Sequence, residues 1–237
     1  MKIYLRKKRI RIIIAVIFVA VALVLIFGNV FGHWWTEVYR ILRTWEFDSE
    51  NKNVKYGQVV FVGDSITDYC DLEKYYPDFL AYNRGIASDT TDGLLKRMNE
   101  SIFDLKPSVI VLLIGINDFA FCSGGVEHIE ANYDEILRQI STTLPDAKVV
   151  VQSCYPVASG QYPNHFKAYK SVPVLNERIE ALALKYGYIY VDVYSSLVTE
   201  DGTLNLQYTD DGLHPNDKGY RVISSVLNPV IVEILNI

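Results

Sequence analysis

The sequence has few of the residues that build disulfide frameworks and metal sites. It holds three cysteines and four histidines among 237 residues, and they form no CxxC, HExxH or Cys/His cluster along the chain. The three cysteines are widely spaced, which permits either one disulfide with a free thiol or three isolated thiols. The sequence therefore gives little support for a preformed zinc site, and we expect no metal.

The chain also has fewer basic than acidic residues beyond its first eleven positions. Residues 1–11 carry six lysines and arginines and no acid, which leaves 17 basic and 28 acidic residues in the rest. A body with a formal charge near −11 repels a phosphate backbone, so we expect no nucleic-acid partner. Half of the residues are hydrophobic and 22% are charged, which is the composition of a folded protein.

A long apolar segment follows the basic residues. Residues 12–27 contain no polar side chain, and Trp34 and Trp35 lie where the far membrane interface would be. Because the preceding charge is positive, we expect a cytoplasmic head over 1–11, a single transmembrane anchor over 12–35 and an extracytoplasmic body. The alternative is a cleaved signal peptide and a secreted product, although the apolar run is longer than such peptides usually have.

Residues 36–55 are predicted to form a juxtamembrane helix and a linker. The helix is indicated by an apolar stripe at helical spacing, and a short polar stretch over 48–53 follows it. The helix could continue the membrane span, lie in the membrane interface or pack on the body. The stripe consists of Trp34, Val38, Ile41, Leu42 and Trp45.

From residue 56 to the C-terminus, apolar strand-like runs alternate with helical periods. This alternation is typical of one α/β domain, with a parallel sheet covered by helices on both faces. The predicted strands are Gln58–Val62, Ala81–Asn83, Ser108–Ile114, Ala147–Gln152 and Tyr188–Val193. The predicted helices contain the stripes Leu94–Ile102, Val126–Ile140 and Leu175–Tyr186, and a last one runs from about Asn216 toward Leu235.

A serine follows the first of these strands. The apolar run ends in Gly63, Asp64 and Ser65, which places the serine at the carboxyl edge of the predicted sheet, where ligands bind in open α/β folds. A serine hydroxyl at this edge is a candidate nucleophile. The three residues are also ordinary turn residues, so the tripeptide alone favours a simple turn.

Later turns of the same sheet supply hydrogen-bond donors. Gly85 follows the second strand and Asn117 follows the third. A glycine lets its backbone N–H approach a ligand closely, and an asparagine offers a neutral amide donor. We therefore expect an oxyanion hole with three donors, the backbone N–H groups of Ser65 and Gly85 and the side-chain amide of Asn117.

A histidine and an acid stand together just before the last predicted helix. His214 lies three residues after Asp211, a spacing that lets one carboxylate orient the imidazole while the ring faces a serine. The sequence thus predicts a Ser65–His214–Asp211 triad. Two other histidines, His128 and His165, lack such an acid and are interpreted as structural.

Together these four segments resemble the GDSL or SGNH hydrolase family. The family's four named residues fall on Ser65, Gly85, Asn117 and His214, with Asp211 at the position of the triad acid. The resemblance covers the body from about Tyr56 onward. It implies a flavodoxin-like three-layer α/β/α fold and a serine esterase or lipase that needs no metal or other cofactor and acts through an acyl-enzyme.

The substrate is predicted less sharply than the chemistry. A long aromatic loop from Cys154 to Tyr169 follows the fourth strand, and its Tyr155, Tyr162 and Phe166 could stack on a sugar, line an acyl pocket or close the core. With a membrane anchor, the acidic body suggests short acyl esters, such as acetyl esters, of envelope glycans or lipids. Two rival functions are an O-acyltransferase that uses the same triad and a surface binding module without catalysis.

Overall fold

The computed structural model describes residues 36–237. The chain divides between Ile41 and Leu42 into two compact units. The predicted cytoplasmic head over 1–11 and the predicted anchor over 12–35 lie outside the described residues. Within residues 36–237, no helix combines the length and the apolar character that a membrane span requires.

A five-stranded parallel sheet forms the centre of the second unit. Its order is β2-β1-β3-β4-β5, the order of a flavodoxin-like doubly wound sheet. Every residue of β1 and β3 is buried, which explains why these strands appear in the sequence as uninterrupted apolar runs. The predicted three-layer fold with a parallel sheet is confirmed. The strands are β1 Val59–Gly63, β2 Ala81–Gly85, β3 Val109–Leu113, β4 Lys148–Gln152 and β5 Ile189–Val191.

The helices include four long ones and several of only one turn. The long ones are α1 over residues 36–51, α7 Gly125–Thr143, α9 Val172–Lys185 and α11 Asp217–Leu235. The short ones are α2 Ser65–Asp68, α3 Leu72–Tyr75, α4 Thr91–Leu95, α5 Met98–Ser101, α6 Asp118–Phe121, α8 Pro163–Phe166 and α10 Tyr194–Leu197. Single 3₁₀ turns lie at Phe103–Leu105 and Leu206–Tyr208.

One predicted helix is divided in the structure. The stripe Leu94–Ile102 is split into α4, α5 and a 3₁₀ turn, with non-helical backbone at Arg97 (φ −126°). The Arg97 side chain is fully buried and donates to Asp89 at 2.7 Å and to the Gly63 carbonyl at 2.8 Å. A buried guanidinium is costly unless its hydrogen bonds are made. The backbone leaves the helical conformation at Arg97, where the side chain makes these bonds.

From Leu42 onward, α1 packs on the sheet domain. Phe47 is fully buried and lies between two guanidinium groups, 4.8 Å from Arg43 and 4.6 Å from Arg84. Arg84 also pairs with Glu50 at 2.8 Å. This part of the helix therefore contacts the body through Phe47 and Arg43, whereas the stripe residues Leu42 and Trp45 are exposed, and the arrangement of the predicted stripe stays a prediction.

The three cysteines are free thiols. Cys154 is buried, whereas Cys70 and Cys122 are half-buried. Of the two alternatives left by the sequence, three isolated thiols is the one observed.

Candidate active site

The turn after β1 places Ser65 at the carboxyl edge of the sheet. Asp64 caps α2 by accepting the Ile66 N–H at 3.0 Å, which fixes Ser65 as the first residue of that helix. Burial raises the pKa of Asp64 to about 7, and the charges of Asp89 and Asp118 add to the effect against the lowering bond from Ile66. The Ser65 Oγ lies 2.9 Å from His214 Nε2.

The loop before α11 orients His214. Its Nδ1 lies 2.7 Å from Asp211 Oδ2, while Asp211 Oδ1 accepts the backbone N–H groups of His214 and Leu213 at 2.8 and 2.9 Å. Because the carboxylate only accepts, Nδ1 carries the proton and Nε2 is free to accept from the Ser65 hydroxyl. Burial alone would raise the pKa of Asp211, but these hydrogen bonds outweigh it and hold the pKa below its ordinary value.

Of the three residues predicted to form the oxyanion hole, the structure brings Ser65 and Asn117 together at this edge. Asn117 lies at the N-terminus of α6, is 3% exposed and lines a cavity beside Ser65. Its Nδ2 donates to the Asp89 carbonyl at 2.9 Å, which leaves the second amide hydrogen for a ligand.

Gly85 is placed differently from its prediction. It is the last residue of β2, and its N–H donates to Asn83 Oδ1 at 2.9 Å instead of facing the cavity. A Cβ at this position would lie 2.1 Å from the backbone nitrogen of Asp68. The glycine is therefore required by the close approach of α2 to the end of β2.

Ser88, three residues after Gly85, lines the cavity where Gly85 does not. It has a left-handed backbone with φ of 65°, and its N–H has no hydrogen-bond partner among residues 36–237. A left-handed conformation at a non-glycine residue costs roughly 1 kcal/mol or more, and residues strained in this way are enriched at functional sites. Ser65, Ser88 and Asn117 thus all line the cavity, and their N–H groups are the candidate donors for an oxyanion there.

The cavity has a volume of about 250 Å³ and is lined by aromatic rings. Tyr69 and Tyr162 flank His214, with ring centroids 5.3 and 5.2 Å from the imidazole. Of the three residues predicted to bind substrate, only Tyr162 lines the cavity. Tyr155 is buried in the core, where its hydroxyl donates to Gln152 at 2.5 Å, and Phe166 stacks on Tyr169.

A second histidine holds the Asn117 amide. His165 Nε2 lies 2.8 Å from Asn117 Oδ1, and since an amide oxygen only accepts, the histidine donates. The imidazole packs edge-on against Phe121 and Tyr162, each at 5.6 Å. Burial, followed by the influence of His214, lowers the pKa of His165 to about 4. The ring is therefore a neutral donor at physiological pH.

The aromatic loop is joined to the loop that carries His214. Ala158 and Gln161 donate their N–H groups to the carbonyls of Gly212 and Asp211 at 2.8 and 2.9 Å. Between them, Gly160 passes so close that a Cβ would lie 2.1 Å from the Asp211 carbonyl oxygen. The loop that brings Tyr162 to the cavity and the loop that brings His214 therefore form one paired unit.

Comparison with known proteins identifies the family. The model of the GDSL-like lipase/acylhydrolase family matches residues 61–222, which include Ser65, Asn117, Asp211 and His214. The chain belongs to this family. The resemblance predicted from the four segments is thereby confirmed, and the chain is a carboxylic ester hydrolase.

Individual relatives of this acylhydrolase agree with the assignment. Platelet-activating factor acetylhydrolase IB subunit alpha2 of Gallus gallus is 30% identical over 183 residues, covering 75% of this chain and 77% of the relative. A GDSL-like lipase from Bacteroides thetaiotaomicron is 28% identical with a TM-score of 0.71, covering 80% and 97% of the two chains. A Streptococcus pneumoniae structure, 24% identical, shares the fold with a TM-score of 0.80 and covers 86% and 98%.

Several residues of the acylhydrolase site were not predicted from its sequence. Tyr69 stands four residues after Ser65, so a helical turn after the serine could have suggested it. Ser88 is not a glycine, so the pattern used to predict a backbone donor passes over it. His165 stands 48 residues from its partner Asn117, and nothing local in the sequence links the two.

Proposed function

We propose that this chain hydrolyses short acyl esters, acetyl esters above all, through a Ser65–His214–Asp211 triad and an acyl-enzyme. The observation that carries the proposal is the continuous hydrogen-bond chain from Ser65 Oγ through both nitrogens of His214 to Asp211. This chain supplies what a serine needs to act as a nucleophile, namely a base at its hydroxyl and a carboxylate that stabilises the resulting imidazolium.

Each step uses an atom already in place. His214 Nε2 takes the Ser65 proton as Oγ attacks the ester carbonyl, and the imidazolium then protonates the departing alcohol. Water, deprotonated by the same nitrogen, cleaves the acyl-enzyme and releases the acid. The negative oxygen formed in both steps is stabilised by the N–H groups of Ser65 and Ser88 and by the Asn117 amide. Such donors typically lower the barrier by about 3 kcal/mol each.

The size of the cavity supports a short acyl group. Its volume of about 250 Å³ is below the roughly 300–1,000 Å³ of sites for drug-sized ligands, and the rings of Tyr69, Phe121 and Tyr162 surround it. The Gallus gallus relative is named an acetylhydrolase, which agrees with an acetyl ester as substrate.

The alcohol part of the substrate follows from the proposed location. With an anchor over 12–35 and an extracytoplasmic domain over 56–237, the enzyme would meet acyl esters of envelope glycans or lipids. The open, aromatic rim of the cavity is suited to a sugar ring as well as to a glycerol backbone.

The triad is tested by labelling with a fluorophosphonate probe. Ser65→Ala is expected to abolish labelling and to reduce ester hydrolysis by about 10⁶-fold, as loss of a triad nucleophile does in other serine hydrolases. A matched control is Ser88→Gly, which removes the other cavity serine but keeps its N–H, and which should still be labelled. Labelling of Ser65→Ala, in a variant with an unchanged circular dichroism spectrum, would disprove the assignment.

The acyl preference is tested with a series of p-nitrophenyl esters. We expect kcat/KM to be highest for acetate and to fall toward octanoate, because a cavity of about 250 Å³ leaves less room for a longer acyl chain beside the alcohol part of the ester. Release of free acetate from an acetylated polysaccharide, even with excess sugar acceptor, would support hydrolysis over transfer. A preference for long-chain lipid esters would contradict the short-acyl proposal.

A further inference from the structure

A cluster of three different metal-binding side chains lies beside the active site. Asp92 comes from α4, Cys122 follows α6 and His128 comes from α7. His128 Nε2 and Cys122 Sγ lie 2.9 and 3.7 Å from the same oxygen, Asp92 Oδ2, and one ligand atom from each of the three lies within 4.8 Å of the other two. All three side chains are half-buried, so an ion has access from solvent.

The spacing of these atoms fits a small tetrahedral ion. With Zn–S near 2.3 Å and Zn–N or Zn–O near 2.0 Å, tetrahedral ligands are separated by roughly 3.3 Å for a nitrogen–oxygen pair and 3.5 Å for a sulfur–oxygen pair. The observed 2.9 and 3.7 Å differ from these separations by a few tenths of an ångström. The third pair, Cys122 with His128, lies within 4.8 Å, against roughly 3.6 Å for a tetrahedral sulfur–nitrogen pair. Rotation of the two side chains toward the ion would shorten this separation.

The carboxylate in the cluster is already oriented. Asn132 Nδ2 donates to Asp92 Oδ1 at 2.9 Å and to Thr91 Oγ1 at 2.8 Å. The same Nδ2 also lies 3.2 Å from His128 Nε2, and Asp92 Oδ2 faces both the thiol and the imidazole. Outer partners of this kind fix the direction of a ligand and strengthen metal binding.

The surroundings favour a cation. The buried carboxyl group of Asp118 accepts the backbone N–H of Thr91, the residue before Asp92, at 3.0 Å, so a second carboxyl group lies close to the cluster. A divalent ion stabilises the thiolate form of a cysteine that coordinates it. Thiolate, imidazole and carboxylate together are a ligand set typical of zinc.

We propose that Asp92, Cys122 and His128 bind one Zn²⁺, with water as the fourth ligand. Binding converts the Cys122 thiol to a thiolate and releases one proton to solvent; His128 binds as neutral imidazole. The ion takes no part in ester cleavage. It joins α4 and α7 to the end of α6, the four-residue helix that starts directly after Asn117. Zinc would thus hold the segment that presents the Asn117 amide.

Cobalt substitution tests the site without measuring activity. The reduced, chelator-treated full-length chain is titrated with Co²⁺ and separately with Zn²⁺. We expect one ion per chain, a thiolate-to-cobalt charge-transfer band, and displacement of that band by Zn²⁺. The band should be lost in Cys122→Ser and kept in Cys70→Ser, since Cys70 is the other half-buried thiol and lies outside the cluster.

Two further variants separate a binding site from a hydrogen-bonded surface cluster. His128→Gln should weaken Zn²⁺ binding more than tenfold, and Asn132→Ala by about 10- to 100-fold. Fluorophosphonate labelling of each variant reports that the domain is folded. Absence of stoichiometric binding in the wild-type chain, or a charge-transfer band that survives in Cys122→Ser, would overturn the proposal.

Discussion

Two histidines reach the same cavity from different loops and meet opposite surroundings. His214 has a carboxylate at Nδ1 and a serine hydroxyl at Nε2. His165 has an amide oxygen at Nε2, and aromatic rings surround it. A carboxylate stabilises the imidazolium, whereas an amide and burial do not, so the first ring can take up a proton and the second stays a neutral donor. The partner, and not the residue type, decides the role.

The largest expected effect comes from giving His214 the kind of partner that His165 has. Asp211→Asn replaces the carboxylate by an amide of the same shape, which no longer stabilises the imidazolium or fixes the tautomer. We expect kcat for p-nitrophenyl acetate to fall about 10⁴-fold, as for the same change in the chymotrypsin-type triad. A loss smaller than tenfold would show that Asp211 does not serve His214.

A smaller loss of kcat is expected from removing His165, the residue that donates to the Asn117 amide oxygen. His165→Ala leaves the amide free to rotate away from the oxyanion, so kcat should fall about 10- to 100-fold with little change in KM, because the contact acts in the transition state. His165→Gln keeps an N–H donor and should recover much of the loss. Equal kcat losses in the two variants would instead indicate a purely structural role for the ring.

The smallest effect concerns stability against pH. The folded-state pKa of His165 is lowered to about 4, so between pH 6.5 and 4 the unfolded chain binds a proton that the folded chain does not. The neutral His165 ring therefore contributes to the free energy of unfolding in full above pH 6.5, and this contribution is lost as the pH falls toward 4. The raised pKa values of Asp64 and Asp118, about 7 and about 6, act in the opposite direction.

A comparison with His165→Gln isolates the histidine from those acids. When the pH is lowered from 6.5 to 4.5, the Tm of the wild type should fall relative to that of His165→Gln by a few degrees. Thermal unfolding followed by circular dichroism at the two pH values measures this difference. Parallel changes in Tm for the two proteins would contradict a neutral, buried His165.

The fold was largely predictable because burial on both faces of a parallel sheet leaves a direct trace in the sequence. All five strands lie where apolar runs predicted them, to within two residues at each end. The stripe over Leu94–Ile102 was misleading because its periodicity does not show that Arg97 turns inward. Side-chain hydrogen bonds to a distant carbonyl, such as that of Gly63, have no local pattern.

The candidate site was predictable where its residues stand in short motifs. Ser65, Asp211 and His214 meet as expected, since strand ends and one loop bring them together. Gly85 was misassigned because a glycine needed for close helix packing looks the same in sequence as one that exposes its N–H. The domain boundaries at 36 and 56 stay predictions, as do the anchor and the location of the enzyme.

The paired loops have a consequence for engineering. Substrate range in a hydrolase is often altered by exchanging a surface loop, and residues 154–169 are the obvious segment to exchange here. Ala158 and Gln161 donate backbone hydrogen bonds to Gly212 and Asp211. A transplanted loop must therefore make the same hydrogen bonds to the loop that carries His214. The two segments are therefore best treated as one cassette, moved together between members of the family.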